Sequence, residues 1–262
     1  MDQYASAEAV RDRLKHYVRP RAVSRPAARL LAFPYAGGSA VAYHSWAAVL
    51  APNIELISMQ YPGRGRLADM PACTRIEDLV GEAYTTVLTL ADAPLYVFGH
   101  SMGAIVAFEL VRRLRFRGRT MPKALLVSAC GAPQVSPSAG ARLHNLPDDE
   151  LLSGLIRYGG IRDEILQVPE MIAFFLPLLR ADMTALETWR YEPQRPLAIP
   201  IVAMGGDRDE TVRVARLEAW RDVTDAGFRC RVLPGGHFYF QDQLATVVDT
   251  IHRVIGETIG KQ

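Results

Sequence analysis

The chain reads Leu95-Tyr96-Val97-Phe98-Gly99-His100-Ser101-Met102-Gly103 at the point where an apolar run meets a G-x-S-x-G pentapeptide. The run predicts a buried strand, and the helical spacing of apolar residues from Ala104 onward predicts a helix directly after it. A serine in so sharp a strand-to-helix turn has its hydroxyl pushed clear of the backbone, and the flanking glycines let neighbouring elements approach closely. Ser101 is therefore a candidate nucleophile.

The same alternation of strand and helix patterns extends along most of the chain. Continuous apolar runs lie at 30–35, 55–61, 95–99, 123–129, 199–206 and 230–234, and segments with helical spacing lie at 41–50, 76–91, 104–117, 212–224 and 239–257. Continuous rather than alternating runs are typical of strands that helices cover on both faces. We therefore predict an α/β fold with a mostly parallel sheet, whose functional groups lie in loops at the carboxyl ends of the strands.

The alternation breaks over residues 133–198. This stretch opens with a segment rich in proline, serine and glycine, and continues with helical patterns that begin at Pro147 and over 170–189, the second with an internal Pro177 expected to kink it. Its position between two predicted strands favours a helical lid insertion, and an ordinary core helix is the alternative. The expected organisation is a single domain, 1–262, that contains the insertion 133–198.

Composition argues against several classes of function. The formal net charge is only +2, and no basic stripe is interleaved with aromatic residues, so nucleic acid is not an expected partner. The three cysteines are widely separated and suggest neither a disulfide framework nor a zinc site. No stretch approaches the ~18 apolar residues of a membrane span, and the N-terminus lacks the apolar core of a secretory signal. We expect a cytoplasmic monomer without metal, cofactor or membrane contact.

A serine hydroxyl needs a base to take its proton, and an imidazole does this when a third group fixes its tautomer. In hydrolases built on such sheets the chain order is serine, acid, histidine, with the histidine in the loop after the last strand. His237 follows the last predicted strand and is the expected base. The other histidines are weaker candidates: His16 lies in an expected N-terminal helix, His100 inside the turn at the nucleophile, His44 and His144 in loops or helix starts far from a late strand, and His252 on a terminal helix.

Two aspartates compete for the role of the acid. Both follow the strand predicted at 199–206, within Asp207-Arg208-Asp209-Glu210. A side chain that reaches the next loop is expected a few residues beyond the strand end, which favours Asp209. Asp207 is the alternative, with capping of the turn as its competing role.

An oxyanion hole requires two backbone N–H groups aimed at the developing negative charge. Met102, the residue after the nucleophile, is expected to provide the first. The second should come from the loop after the first long strand, Phe33-Pro34-Tyr35-Ala36-Gly37-Gly38-Ser39, with Ala36 as the expected donor and Tyr35 as the alternative.

One further motif, at residues 63–68, matches a pattern that is known from dinucleotide-binding sites. Gly63-Arg64-Gly65-Arg66-Leu67-Ala68 matches the G-x-G-x-x-A pattern of dinucleotide sites and follows a strand. Pro62 precedes it and Pro71 follows it, so no helix N-terminus is expected there to receive a pyrophosphate. We therefore do not predict a dinucleotide cofactor.

Several motifs in this order resemble the type II thioesterases, discrete α/β-hydrolases that accompany modular polyketide synthases and nonribosomal peptide synthetases. The F-P-x-A-G-G and Q-Y-P-G-R motifs separate this pattern from that of ordinary lipases and esterases. The matching stretches begin at Phe33, Gln60, Gly99, Leu179, Gly205 and Pro234: Phe33-Pro34-Tyr35-Ala36-Gly37-Gly38-Ser39, Gln60-Tyr61-Pro62-Gly63-Arg64, Gly99-His100-Ser101-Met102-Gly103-Ala104, Leu179-Arg180-Ala181-Asp182, Gly205-Gly206-Asp207-Arg208-Asp209 and Pro234-Gly235-Gly236-His237-Phe238.

The resemblance implies hydrolysis of acyl thioesters on the phosphopantetheine arm of a carrier protein, which releases stalled or aberrant acyl units. The partner it implies is an acyl-loaded carrier protein. A carboxylesterase or acyltransferase with the same three side chains is the alternative within enzymes, and a non-catalytic binding protein of the same fold is the alternative outside them.

Overall fold

The computed structural model describes residues 14–90, 92–135, 142–157 and 167–259. Its centre is a seven-stranded sheet formed by β1 (Tyr17–Val18), β2 (Ala28–Phe33), β3 (Ile54–Met59), β4 (Leu95–His100), β5 (Ala124–Ser128), β6 (Ile201–Gly206) and β7 (Phe228–Leu233). The strand order is β1-β3-β2-β4-β5-β6-β7, in which β1 is antiparallel to β3 and the remaining neighbours are parallel. The predicted mostly parallel sheet is confirmed.

The continuous apolar runs are explained by burial on both faces of the sheet. Every residue of β2 is buried, and successive side chains point to opposite faces. Leu31 and Phe33 join one apolar cluster, and Leu30 and Ala32 join the other. Each face of the sheet therefore needs its own layer of helices.

Those layers come from the segments between the strands. Helices α2 (Ile76–Val87) and α3 (Met102–Phe116) pack on one face, where α6 (Val214–Glu218) also contributes Leu217. The short helix α1 (Trp46–Val49) and the C-terminal helix α7 (Leu244–Ile259) cover the other face. None of the described helices combines the length and apolar character needed to cross a membrane.

Two helices between β5 and β6 form a separate apolar cluster. They are α4 (Asp148–Arg157) and α5 (Pro169–Thr188), and α5 runs through Pro177 as one helix. The cluster consists of Leu143, Leu151, Leu155, Leu176, Leu179 and Met183. Ala36, in the loop after β2, packs against this cluster, so the two helices lie beside that loop. Residues 136–141 and 158–166 of the predicted insertion 133–198 lie outside the described ranges.

Some predicted helices have different bounds because tertiary contacts override local spacing. The segment 41–50 forms a 3₁₀ turn (Ala40–Tyr43) followed by α1, and the helix predicted from residue 239 begins at Leu244. Tyr239 and Phe240 are instead buried in a turn beside the ring of His100. His16 ends a short 3₁₀ turn that leads into β1, not a helix; a two-residue strand has no periodicity to recognise.

Candidate active site

Ser101 lies in a strained turn between β4 and α3. Its backbone has φ 54° and ψ −121°, a conformation uncommon for a residue with a side chain, and its N–H donates to the Ser128 carbonyl over 2.8 Å. The next residue, Met102, begins α3. The strain holds the hydroxyl away from the backbone hydrogen bonds of both elements, as a nucleophile requires.

The two glycines of the pentapeptide are required by close backbone approach. A Cβ atom on Gly99 would lie 2.2 Å from the carbonyl oxygen of Gly103, and one on Gly103 would lie 2.2 Å from that of Phe33. Both distances are far inside van der Waals contact. Glycine at 99 therefore lets the turn close on itself, and glycine at 103 lets it pack against the end of β2.

His237 lies in the loop after β7 and faces the nucleophile. Its Nε2 is 3.0 Å from Ser101 Oγ, and its Nδ1 is 2.8 Å from Asp209 Oδ2. The loop reaches this position through Gly235, whose φ of 134° is one that side chains rarely adopt. The structure thus brings together the predicted serine, histidine and aspartate.

Asp209 is buried at the end of β6 and its carboxylate is fully hydrogen-bonded. Oδ1 accepts the backbone N–H groups of Thr211 and Val212 over 2.8 and 3.1 Å and the Thr211 hydroxyl over 2.7 Å. Burial by itself would raise the pKa of Asp209, but the hydrogen bonds from His237 and Thr211 outweigh it and leave the pKa below its ordinary value. The carboxylate is therefore ionised at neutral pH.

Asp207, the alternative candidate for the acid, contacts the backbone of the loop after β7. Its side chain is half exposed, and its Oδ1 accepts the N–H of Gly235 over 2.9 Å. That contact stabilises the backbone of the loop that carries His237. The structure gives Asp207 no contact with the imidazole among the described residues.

Thr211 is a site residue that sequence reasoning missed. Its hydroxyl donates to Asp209 and lies 3.0 Å from His237 Nδ1. The hydroxyl oxygen can therefore share with Asp209 the hydrogen bond that the imidazole Nδ1–H donates. The signal was available, because a threonine two residues after an aspartate is the pattern of a local Asx turn.

The loop after β2 turns sharply beside Ser101. Gly38 N–H donates to the Tyr35 carbonyl over 2.8 Å, and Gly37 has φ 76°, as a type II turn requires at its third position. Gly37 N–H donates to Asp182 Oδ2 over 2.7 Å. The intervening Ala36 N–H has no acceptor among the described residues. Met102, as the first residue of α3, also has an N–H without an intrahelical acceptor.

The G-x-G-x-x-A segment does not open onto a helix of useful length. It forms a three-residue 3₁₀ turn, Gly65–Leu67, and its Arg64 is buried against Asp182 of α5. The segment therefore presents no N-terminus of a long helix, as the flanking prolines predict. Within the described ranges, no cluster of His, Cys, Asp or Glu is arranged to hold a metal ion.

The family model for the thioesterase domain matches residues 28–255, which span every long strand and the three catalytic candidates. The chain belongs to the thioesterase family. It is 35% identical over 236 residues to the gramicidin S biosynthesis protein GrsT of Aneurinibacillus migulanus, a match that covers 90% of this chain and 91% of that protein.

Solved structures of type II thioesterases are similar to this thioesterase along its length. BorB, from the borrelidin biosynthetic cluster, gives a TM-score of 0.81 at 34% identity and covers 92% of this chain and 96% of its own. YbtT, from the yersiniabactin pathway, gives 0.83 at 31% identity, with 93% and 99% covered. The predicted α/β-hydrolase fold and the resemblance to type II thioesterases are both confirmed.

In this thioesterase, a second histidine, His100, lies against the ring of His237. The His100 side chain is fully buried, its Nδ1 is 2.9 Å from Ser128 Oγ, and its Nε2 has no partner among the described residues. Burial and then the neighbouring His237 lower the pKa of His100 well below its ordinary value. His100 is therefore neutral and lines the site, with its ring centroid 5.3 Å from that of His237.

Proposed function

We propose that this thioesterase hydrolyses acyl thioesters held on the phosphopantetheine arm of a carrier protein, with Ser101, His237 and Asp209 as its catalytic triad. The observation that supports this most directly is the chain of contacts from Ser101 Oγ to His237 Nε2 at 3.0 Å and from His237 Nδ1 to Asp209 at 2.8 Å. Relatives in biosynthetic pathways of polyketides and nonribosomal peptides support the choice of a carrier-bound substrate.

The geometry supports a two-step reaction through an acyl-enzyme. His237 Nε2 takes the Ser101 hydroxyl proton as Oγ attacks the thioester carbonyl carbon. The N–H groups of Met102 and Ala36 hold the negative oxygen of the tetrahedral intermediate. The C–S bond then breaks, and the proton on Nε2 passes to the departing sulfur to give the free thiol.

The second step repeats the proton transfers with water. His237 Nε2 accepts a proton from water, whose oxygen attacks the acyl-enzyme carbonyl; the bond to Ser101 Oγ then breaks, Nε2 returns the proton to Oγ, and a carboxylic acid is released. Asp209 stays ionised throughout and accepts the Nδ1–H of the imidazole. It thereby fixes the tautomer that leaves Nε2 free and stabilises the imidazolium that forms in each step.

We infer that residues 1–262 form one α/β-hydrolase domain and that the insertion 133–198 is a lid over the site. Two observations support this: α4 and α5 lie between β5 and β6 in chain order, and Ala36 packs against their apolar cluster. An acyl chain attached to Ser101 would meet leucine and methionine side chains of that cluster. The lid can therefore contribute to selection of the acyl group.

We also propose that the protein acts as a cytoplasmic monomer. The three cysteines, Cys73, Cys130 and Cys230, are all unpaired, which is typical of a reducing compartment. Light scattering after gel filtration tests the oligomeric state, and a dimeric mass at micromolar concentration would overturn that part of the proposal.

Thiol release from an acyl-loaded carrier protein tests the proposed reaction. The parent protein should release free thiol, and Ser101→Ala should lower the rate by roughly 10³-fold or more. Arg253→Gln is a control at a surface position, because the partner of Arg253 among the described residues is Asp249, on the exposed face of α7. A parent that cleaves aryl esters but spares the carrier thioester would support the carboxylesterase alternative instead.

A further inference from the structure

A buried ion pair lies directly behind the loop that carries Ala36. Arg64 Nη2 and Nη1 donate to Asp182 Oδ1 and Oδ2 over 2.6 and 2.7 Å, in the bidentate geometry that guanidinium and carboxylate groups favour. The Arg64 side chain is 4% exposed and that of Asp182 is fully buried. Two charges have thus been removed from water at a position where the proposed mechanism does not use them.

Both members of this pair also bind the backbone of the loop. Asp182 Oδ2 accepts the Gly37 N–H over 2.7 Å, and Arg64 Nη1 donates to the Gly38 carbonyl over 2.9 Å. The Gly38 N–H in turn donates to the Tyr35 carbonyl. That carbonyl belongs to the same planar peptide unit as the Ala36 N–H, so fixing the carbonyl also fixes the direction of the N–H.

We propose that Arg64 and Asp182 are positioning residues for the oxyanion hole, which hold the Tyr35–Ala36 peptide so that its N–H points at the reacting carbonyl oxygen. This inference rests on the proposed function, in which the Ala36 N–H is the second oxyanion donor. Asp182 acts through Gly37, and Arg64 acts through Asp182 and Gly38. Neither side chain touches the substrate.

Stability alone is a weak reason to bury such a pair. The cost of desolvating two charges often equals or exceeds their attraction, and apolar residues of similar volume frequently serve as well. A donor that stabilises a transition state must already be oriented when charge develops, and ionic hydrogen bonds to a glycine-rich turn supply that orientation. Arg64 lies in the loop after β3 and Asp182 lies in α5, and both bind the loop after β2.

The arrangement also makes the hole depend on α5. Asp182 lies in that helix, and the same helix packs directly on the turn, since a Cβ atom on Gly37 would lie 2.4 Å from Leu179 Cδ2. The backbone of Arg64 is held as well, because its carbonyl accepts a hydrogen bond from the Gln60 side-chain amide over 3.0 Å. A shift of α5 away from the sheet would release the Gly37 N–H and loosen the turn.

Two double variants separate positioning from stability. Arg64→Met with Asp182→Asn removes both charges but keeps a side-chain oxygen that can accept the Gly37 N–H. Arg64→Met with Asp182→Leu removes both charges and that acceptor. Both avoid an unpaired buried charge, but the variant with Asp182→Leu leaves the Gly37 N–H without its acceptor, so we expect it to melt a few degrees lower. We expect kcat/KM of the double variant with Asp182→Leu to be at least about tenfold below that of the double variant with Asp182→Asn.

The decisive readout is affinity for an alkyl boronic acid, which forms a tetrahedral adduct on the serine and places an oxygen in the hole. It should weaken in parallel with kcat/KM, while affinity for an unreactive thioether analogue of the substrate stays within about twofold. Equal boronate affinity in the two double variants would overturn the proposal, as would equal losses for boronate and thioether.

A single variant keeps the test valid if the Leu variant does not fold. Asp182→Glu retains both charges and moves the carboxylate by about one bond length, ~1.5 Å. It should lower boronate affinity about tenfold, and unchanged affinity would again overturn the proposal. Failure of the proposed function is a separate outcome: the parent itself would then release no thiol and form no boronate adduct at Ser101.

Discussion

The hydroxyl of Thr211 donates to Oδ1 of Asp209 over 2.7 Å and lies 3.0 Å from Nδ1 of His237. The Thr211 backbone N–H donates to the same oxygen, which leaves Oδ2 to accept from His237. The two carboxylate oxygens thus have separate tasks, one in holding the loop and one in orienting the base. Asp209 is therefore rigid before any substrate arrives.

Replacing Thr211 by valine tests whether the contacts of its hydroxyl with Asp209 and His237 matter for turnover. Thr211→Val keeps the shape of the side chain and both backbone hydrogen bonds to Asp209, but removes the hydroxyl. We expect kcat to fall about three- to tenfold with KM nearly unchanged, because the base is less well oriented. Steady-state kinetics on an acyl thioester measure both constants. An unchanged kcat would assign the hydroxyl to the loop alone.

The two aspartates after β6 form a matched pair for identifying the acid. Asp209→Asn should lower kcat by about 10³- to 10⁴-fold, because a neutral amide neither fixes the required tautomer nor stabilises the imidazolium. Asp207→Asn should stay within about fivefold of the parent, since its oxygen can still accept the Gly235 N–H. Larger loss in Asp207→Asn than in Asp209→Asn would exchange their assignments.

Two glycines in different surroundings, one in the turn at the nucleophile and one in α7, should respond oppositely to replacement by alanine. Gly103→Ala should destabilise the protein by about 3 kcal/mol, because the new Cβ would lie 2.2 Å from the Phe33 carbonyl oxygen. Gly256→Ala, in α7, meets no atom within 4 Å and should stabilise it by about 0.5–1 kcal/mol through helix propensity. Urea unfolding followed by circular dichroism measures both. A tolerated Gly103→Ala would show that the turn can move.

Buried His100 predicts a pH dependence of stability. Its pKa is low in the folded protein and near 6.5 in the unfolded chain, so below pH 6.5 only the unfolded chain takes up the proton. This contribution to stability is present above pH 6.5 and is lost as the pH falls, by at most about 1.4 kcal/mol per pH unit. Unfolding free energies from pH 8 to 5 should decrease less steeply for His100→Asn than for the parent. Parallel curves would contradict this.

Much of the fold could be predicted because its signals are local. The apolar run before Ser101 and the glycines around it identify strand, turn and helix without any other part of the chain. The chain order of serine, acid and histidine then suggested Asp209 and His237. Helix bounds were less predictable where buried aromatic residues such as Tyr239 pack across the molecule and so prevent a helix that the spacing favours.

The α/β alternation, the nucleophile turn and the residue types available for an acyl transfer can be predicted from the chain alone, because each depends on neighbours along it. The contact of Arg64 with Asp182, 118 positions away, and the binding of both to the turn beside Ala36 arise only when the chain is folded. Such contacts depend on how a sheet, two loops and a helix pack together. Two charged side chains in separate motifs have no local pattern that relates them, and burial in one place is what makes them a pair.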